Sequence, residues 1–398
     1  MTMIEQSGDP IAGRLETGRC ARILSELVRA RSQNPVDGEA EVAAYVARFL
    51  TGLGLEVETP DVFPGRPNVV GRLRGAGGGP MLAFNTHMDT VPEGNGWTRE
   101  PFGGEVVDGA LYGRGSVDAK GPLAAFLAAI EAIVASGTRL RGDLVMTAVA
   151  DEETCSTGAR RLCPALGADL AIVGEPTKLR VGIAHRGSLR PIIAVTGRTA
   201  HSSRPDEGVN AVYRAVPVLR ALEAYGSSLG SRPAHPLCGT PTAAVTLISG
   251  GVKENVIPGR CEITLDRRMV PGETEGSALG EVEDVLARVR GENPGLEVAI
   301  ERTIPTTGPP SELDRDHPLV GVALEAASRA LGEPGRVHGL SGACDMTHFR
   351  AAGVPCVVMG PGDESQAHQP DEHMDVEQLR RGAHVYALAA IGACQVAP

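Results

Sequence analysis

Four short segments of the chain are almost continuously apolar, which is typical of β-strands covered on both faces of a sheet. Segments with a helical spacing of apolar residues separate them, and the clearest runs through Leu123, Phe126, Leu127, Ile130 and Val134. Strands that alternate with helices predict an α/β fold with an open, mostly parallel sheet. The four apolar segments are residues 81–86, 143–150, 169–173 and 354–359.

The middle of the chain has a different order of patterns: strand, helix, two strands, helix and strand. This is the ferredoxin-like α+β arrangement. A chain of 398 residues exceeds the usual size of one hydrophobic core, so we expect two domains. We predict an α/β domain built from residues 1–188 and 305–398, with an α+β domain inserted at residues 189–304. The elements predicted in the insert are residues 190–197, 208–224, 242–250, 261–268, 275–290 and 296–304.

Composition and charge narrow the functional classes. A net charge of −11 and an aromatic content of 3% give no basic surface of the kind that binds nucleic acid. The longest apolar run, residues 122–135, is interrupted by Glu131 and is too short to span a membrane. Residues 1–20 show no apolar leader, and the eight cysteines include no C-x-x-C pair, which indicates reduced thiols. We expect a cytoplasmic protein that binds neither nucleic acid nor membranes.

A glycine-rich loop at residues 113–121 surrounds one carboxylate, Asp118, at the entrance of the predicted helix. Glycine permits a positive φ or the close approach of another group. A carboxylate enclosed in such a loop needs a cation or several donors, because an unpaired buried charge is very costly. Taken alone, Asp118 is better explained as an N-cap or Asx-turn residue, and only the other polar residues of the chain favour a ligand.

Other polar residues follow the apolar strands, at the ends where open α/β sheets bind their ligands. His87 and Asp89 are two residues apart, a spacing at which a carboxylate can orient a metal-binding histidine. Two histidines and three carboxylates, one of them shared, would form a five-ligand site for two divalent ions, with zinc, cobalt or manganese suited to it. The remaining candidates are Asp118, Glu152, Glu153, Glu175 and His368.

The charges favour two ions over one. Asp118, Glu153 and Glu175 with a bridging hydroxide would balance two divalent cations, which leaves Glu152 beside the site as a general base. The alternatives are structural. The glutamate pair could complement a helix dipole, and each histidine could be part of the core.

The segments around these residues resemble the dinuclear metallo-amidohydrolases and peptidases that include acetylornithine deacetylase, succinyl-diaminopimelate desuccinylase, aminoacylase and glutamate carboxypeptidase (peptidase family M20). The resemblance covers roughly residues 20–388. Its motifs are HMDTVP (87–92), the loop 113–121, DEE (151–153), GEPT (174–177) and AHQP (367–370).

The resemblance implies a catalytic first domain and a role for each candidate residue. Glu152 would be the general base, Asp89 would orient His87, and a cis peptide bond would follow Asp118. One metal would be held by His87, Asp118 and Glu175, and the other by Asp118, Glu153 and His368.

The resemblance also implies that the insert is a lid and dimerisation domain. His201, in the segment GRTAHSS, would stabilise the oxyanion in the active site of the other subunit of a homodimer. Asn255 and Arg268 would hold the substrate carboxylate, and Arg268 is also explained as a solvated arginine at a strand end.

The predicted function is hydrolysis of the amide bond of an N-acyl amino acid by a metal-activated water, with Glu152 transferring the proton. Two alternatives stay open. One is a metallo-carboxypeptidase or dipeptidase of the same family, acting on a peptide, and the other is a catalytically inactive binding homologue. The sequence does not specify the acyl group or the amino acid.

Overall fold

The computed structural model describes residue 9 and residues 11–397, and residues 1–8, on which part of the leader expectation rests, lie outside this range. The chain forms two compact units. The first holds the described residues up to Ile183, Glu312–His338, and the residues from Cys344 onward. The second holds Ala184–Ser311 and Gly339–Ala343, and so it begins before the predicted insert 189–304 and ends after it.

The secondary structure of the described residues alternates between strands and helices in the first unit. The helices, in chain order, are α1 (Thr17–Arg29), α2 (Ala40–Gly52), α3 (Lys120–Ser136), α4 (Thr157–Leu166), α5 (Ala211–Leu229), α6 (Glu275–Glu292), α7 (Pro318–Leu331), α8 (Met346–Ala351) and α9 (Val376–Cys394). The strands are β1 (Glu56–Glu58), β2 (Asp61–Phe63), β3 (Arg66–Pro67), β4 (Val69–Leu73), β5 (Leu82–His87), β6 (Glu105–Val107), β7 (Ala110–Tyr112), β8 (Leu144–Val149), β9 (Leu170–Val173), β10 (Val181–His185), β11 (Gly187–Thr196), β12 (Thr242–Gly250), β13 (Arg260–Met269), β14 (Glu297–Ile304), β15 (Ser311–Glu312), β16 (Val337–Leu340), β17 (Cys356–Val358) and β18 (His373–Asp375).

The main sheet has the order β1-β4-β8-β5-β9-β17-β10-β15, with β16 beside β10. Its central strands β8, β5, β9 and β17 are parallel, and they are the four apolar segments of the sequence. The pairs β1–β4, β4–β8 and β10–β17 are antiparallel. The predicted mostly parallel α/β sheet is therefore confirmed, and the carboxyl ends of its central strands meet at one edge.

Aromatic side chains join the helices to this sheet. Phe84 of β5 stacks on Phe126 of α3 at a centroid distance of 4.4 Å, and Tyr386 of α9 stacks on Phe126 at 3.9 Å. The Tyr386 hydroxyl donates a hydrogen bond to the carbonyl of Met359, just beyond β17. These contacts pack α3, the helix that follows the glycine-rich loop, against α9 and the main sheet.

The second unit is a four-stranded antiparallel sheet with the order β12-β13-β11-β14. Helices α5 and α6 supply side chains such as Val218, Leu222 and Leu286 to a core shared with the strands. Its order of strand, helix, two strands, helix and strand confirms the predicted ferredoxin-like arrangement.

No helix among the described residues is both long enough and apolar enough to cross a membrane.

Candidate metal centre

The elements of the first unit bring the predicted ligands to one edge of the main sheet. His87 is the last residue of β5, Glu153 follows β8, and Glu175 follows β9. These three strands are parallel neighbours, so their carboxyl ends lie side by side. Asp118 lies in the loop before α3, and His368 lies in the segment between β17 and β18.

Three ligand atoms form a first group. One donor atom each from His87, Asp118 and Glu175 lies within 4.8 Å of the others. His87 Nε2 is 3.1 Å from Asp118 Oδ1. His87 Nδ1 lies 2.9 Å from the backbone carbonyl oxygen of Asp89, which can only accept, so Nδ1 carries the hydrogen and Nε2 can present a lone pair.

A second group shares Asp118 with the first. Donor atoms of Asp118, Glu153 and His368 again lie within 4.8 Å of one another. His368 Nε2 is 3.3 Å from Asp118 Oδ2 and 3.2 Å from Glu153 Oε2. The two oxygens of Asp118 therefore face two different histidines, an arrangement that fits a carboxylate shared between two cations.

The electrostatics of the centre favour bound cations. Burial raises the pKa of Glu152 and Glu175 well above the ordinary value, and repulsion from neighbouring carboxylates adds to the effect. Burial and Asp118 also raise the pKa of Glu153. The carboxylates Asp118 and Glu153 hold the pKa of His368 at about 10. Without a metal, protons must offset this crowding of carboxylates, and divalent ions can take their place.

Histidine and carboxylate donors in two groups of three suit a pair of divalent transition ions. Burial opposes ionisation of both Asp118 and His87, yet their interaction lowers the pKa of Asp118 and raises that of His87 well above its ordinary value. The residues present therefore fit the pair of metals that the sequence predicts.

Asp89 is fully buried and contacts more than His87. Its Oδ1 accepts a hydrogen bond from the backbone amide of Glu152 at 3.1 Å, and its Oδ2 accepts from the amide of Glu153 at 3.2 Å and from Asn34 Nδ2 at 3.0 Å. The distance from Asp89 Oδ1 to His87 Nδ1 is 3.6 Å, longer than a hydrogen bond. The carboxylate of Asp89 thus fixes the backbone of both glutamates, while its carbonyl orients His87.

The loop that carries Asp118 requires its glycines. Gly115 has φ +83°, and a Cβ atom there would lie 2.6 Å from Thr90 Cγ2. A Cβ on Gly113 would lie 2.4 Å from Val28 Cγ1. The peptide bond between Asp118 and Ala119 is cis, as the resemblance implied.

Several buried polar residues near the ligands were missed by sequence reasoning. Asp345 accepts a hydrogen bond from Asn85 Nδ2 at 2.9 Å, and burial raises the Asp345 pKa to about 6. Arg114 and Glu372 form a buried ion pair at 2.6 Å beside the loop of Asp118. Arg114 stands in a glycine-rich segment and Asp345 in a mostly apolar one, but neither signal names a partner, and Glu372 lies in a polar segment.

The three residues predicted to act from the insert belong to the second unit. His201 is exposed, and its Nδ1 lies 2.8 Å from the Ser203 hydroxyl. The buried Oδ1 of Asn255 has no hydrogen-bond partner among the described residues. Arg268 Nε pairs with Asp266 Oδ1 at 2.7 Å. Their proposed contacts with a substrate stay predictions.

Comparisons with known proteins agree with this geometry. A model of peptidase family M20/M25/M40 matches residues 83–391. An acetylornithine deacetylase of Salmonella arizonae is 34% identical over 368 residues, which cover 90% of this chain and 92% of that protein.

Solved structures share the fold. The dipeptidase Dug1p of Saccharomyces cerevisiae has a TM-score of 0.79 at 16% identity, over 97% of this chain and 98% of that one. A dinuclear metal-binding peptidase of family M20 from Bacillus subtilis has a TM-score of 0.72 at 18% identity, over 96% of this chain and 99% of that one. With the family model spanning most of the sequence, the chain belongs to peptidase family M20/M25/M40.

Proposed function

We propose that this protein is a metal-dependent hydrolase that cleaves the amide bond of an N-acyl amino acid. The observation that carries the proposal is the sharing of Asp118 between two ligand groups, next to the buried carboxyl group of Glu152. A two-metal site with an adjacent carboxylate can activate a water molecule, polarise an amide carbonyl and transfer a proton, which together suit amide hydrolysis.

The two ligand groups would each hold one divalent ion, with zinc as the proposed metal and cobalt or manganese as alternatives. Bound metals would lower the pKa of a water molecule and polarise the acyl carbonyl. His87, Asp118 and Glu175 form one group, and Asp118, Glu153 and His368 form the other.

Glu152 is the proposed general base. It accepts a proton from the attacking water and transfers this proton to the amine that leaves. Two features support the role: Glu152 is buried with a raised pKa, and the hydrogen bond from its amide to Asp89 fixes the backbone that carries the side chain. Cations in the neighbouring groups would bring the pKa of Glu152 down toward the range of a working base.

The chemical class of the substrate rests on sequence similarity. The 34% identity to acetylornithine deacetylase over 90% of the chain supports an N-acetyl amino acid. A carboxypeptidase or dipeptidase activity is the second candidate, and the structural similarity to a dipeptidase keeps it open. An inactive binding homologue would have to retain both ligand groups and Glu152 without using them.

The second unit is proposed to form a homodimer and to act as a lid. Leu247 and Ile248 of β12 are 66% and 53% exposed on a strand at the edge of its sheet, which is the kind of surface that another copy can extend. In such a dimer His201 would stabilise the oxyanion in the partner's site, while Asn255 and Arg268 would bind the substrate carboxylate. Leu247→Lys should shift the mass measured by light scattering from dimer to monomer, whereas Val106→Lys in the first unit should not.

A cytoplasmic location is also part of the proposal. Cys20, Cys163, Cys261, Cys344, Cys356 and Cys394 are buried and form no disulfide, which suits a reducing compartment.

The test is a substrate panel assayed with the metal-loaded protein. N-acetyl, N-succinyl and N-formyl amino acids should be hydrolysed, and dipeptides should react more slowly. Faster cleavage of dipeptides would replace the deacylase with the peptidase. A chain that binds less than one tight metal and cleaves nothing after addition of zinc or cobalt would be the inactive homologue.

A further inference from the structure

Two short strands bring the loops of Asp118 and His368 side by side. The loop of Asp118 begins where β7 ends, and the segment of His368 leads into β18. β7 and β18 are antiparallel, with His373 opposite Tyr112. The register continues one residue further, because the Gly113 amide donates to the Glu372 carbonyl at 2.9 Å. Glu372 is therefore paired with Gly113, the first residue of the loop that carries Asp118.

The carboxylate of Glu372 is 1% exposed and accepts hydrogen bonds from the backbone of this loop. Its Oε1 accepts from the amides of Val117 at 2.8 Å and Asp118 at 3.1 Å. Its Oε2 accepts from the Gly115 amide at 3.2 Å. The side chain thus fixes the backbone of Asp118 itself, although it belongs to neither ligand group.

Arg114 makes hydrogen bonds to the segment that carries His368. Its guanidinium is buried, donates to Glu372 Oε2 at 2.6 Å, and lies 5.2 Å from the centre of the Trp97 ring. The same group donates to the carbonyl of Gln369 at 3.3 Å and to that of His368 at 3.4 Å. His368 itself has φ +65°, a conformation that is unfavourable for a non-glycine residue and needs support from its surroundings.

Burying the ion pair of Arg114 and Glu372 costs desolvation free energy that packing alone would not offset. Burying two charges is expensive, and a well-packed apolar pair of the same volume often stabilises a fold as well or better. What an apolar pair could not supply is the set of hydrogen bonds to the backbone on both sides, from Gly115 to Asp118 and from His368 to Gln369. The ion pair and its hydrogen bonds therefore fix the backbone of the Asp118 loop relative to the backbone of the His368 segment.

We propose that Arg114 and Glu372 are positioning residues that fix Asp118 relative to His368, and hence preorganise the metal site formed by Asp118, Glu153 and His368. This inference rests on the proposed function, because it takes these three residues as metal ligands. The other group should depend on the pair less, since His87 and Glu175 stand at strand ends of the main sheet.

The first test is Glu372→Gln, which removes the charge and keeps the size. Zinc titration of the metal-free protein by calorimetry should show one of two binding events weakened about 10- to 100-fold, the usual effect of losing a residue that orients a ligand. The other event should change by less than about threefold. His368→Ala, titrated in parallel, identifies the event that belongs to this site, and Glu131→Gln, which removes a carboxylate that pairs with Arg19 elsewhere in the unit, serves as the matched control.

Hydrogen exchange of the metal-free protein gives a readout that needs no metal. In Glu372→Gln the amides of Gly115, Val117 and Asp118 should exchange faster, while those of β5 and β8 keep the wild-type rates. Faster exchange throughout the unit would mean general destabilisation and would overturn a positioning role.

The outcomes separate this inference from the proposed function. A wild-type protein that binds no divalent metal overturns both. Two metals in the wild type with unchanged affinities in Glu372→Gln overturn the positioning role alone. If Glu372→Gln does not fold, Arg114→Lys takes its place: it keeps the charge but loses the planar fork, and it should weaken the same binding event. Unchanged affinities in Arg114→Lys would equally refute the inference.

Discussion

Asp118 is the residue on which the two ligand groups depend. Its Oδ1 lies 3.1 Å from His87 Nε2, and its Oδ2 lies 3.3 Å from His368 Nε2. The pKa of Asp118 lies below its ordinary value, even though burial acts in the other direction, because both histidines stabilise the carboxylate. The pKa of Glu152, Glu153 and Glu175 lies above the ordinary value. Asp118 therefore stays charged where its neighbours take up protons.

Replacing Asp118 should affect both metals together. In Asp118→Ala the number of tightly bound metals per chain should fall from two toward zero, because each group loses a charged ligand. His87→Ala and His368→Ala should each lose mainly one. Elemental analysis after dialysis measures these numbers, with Glu131→Gln as a control that keeps both metals. Two tight metals in Asp118→Ala would rule out a shared ligand.

Replacing Glu152 should separate catalysis from metal binding. Glu152→Gln should keep both metals, since Glu152 belongs to neither ligand group. Its kcat should fall by about 10²–10⁴-fold, the usual contribution of a general base, with little change in KM. Steady-state kinetics on the best substrate of the panel checks this, and a kcat within tenfold of the wild type would remove Glu152 from the mechanism.

The strand-end residues were accessible from sequence because their position follows from a local pattern. His87 ends one apolar strand and Glu175 lies two residues after another, and parallel strands bring their ends together. Arg114 and Glu372 were not accessible, because they are 258 positions apart and meet only through the register of two three-residue strands. The same holds for Asn34, whose partner Asp89 is 55 positions away.

At the level of elements, continuous apolar strands were the most predictable feature. Each of the four predicted central strands appears in the parallel part of the sheet, since burial on both faces leaves an unmistakable pattern. The strands β6, β7 and β18 were not predicted, because three residues are too few to show alternation. The pattern predicts one helix at 208–224, but the helix is Ala211–Leu229: Asn210 caps its start, and it continues through Gly226, which packs closely on the Ala243 carbonyl.

A buried arginine joins the elements of the second unit. Arg267 of β13 is fully buried and donates to the Tyr225 hydroxyl of α5 at 2.9 Å. It also pairs with Glu273 and with Glu281 of α6. One side chain thereby connects a strand with both helices that cover it.

Removing this arginine should destabilise the second unit. Arg267→Met should lower the free energy of unfolding by about 3 kcal/mol, the range found when one partner of a buried ion pair is lost. Urea denaturation followed by circular dichroism measures the change. Arg260→Met, which removes an exposed ion pair from the same strand, should have a much smaller effect and serves as the control. Equal effects of the two variants would contradict a special role for Arg267.

For the whole molecule, the metal site unites parts of the chain that are far apart in sequence. The first unit is assembled from three stretches, and its predicted ligands range from His87 to His368. Metal ions held by these ligands would bind only the folded state, because the unfolded chain does not hold the ligand side chains together. Metal binding should therefore increase the free energy of unfolding.

This stability should depend on pH in a definite direction. In the metal-free protein the pKa of Glu152, Glu153 and Glu175 is raised, and so is that of His368, to about 10. Groups with raised pKa values stabilise the fold fully below their unfolded pKa and lose that contribution as the pH rises through the folded value. The metal-free protein should therefore lose stability as the pH rises above the ordinary carboxyl range. Bound metals replace these protons, so the stabilisation of the fold by metal should increase as the pH rises.

Thermal unfolding with zinc and with a chelator tests this at about pH 6 and about pH 8. Zinc at about 100 times its Kd adds about 2.7 kcal/mol, so the Tm should rise by roughly 5 °C or more, with the larger rise at the higher pH. Asp118→Ala should show no zinc-dependent rise at either pH, which separates binding at this site from zinc bound elsewhere. A rise that shrinks as the pH increases would mean that zinc does not displace protons from these carboxyl groups. The raised pKa values would then have no connection with the metal site.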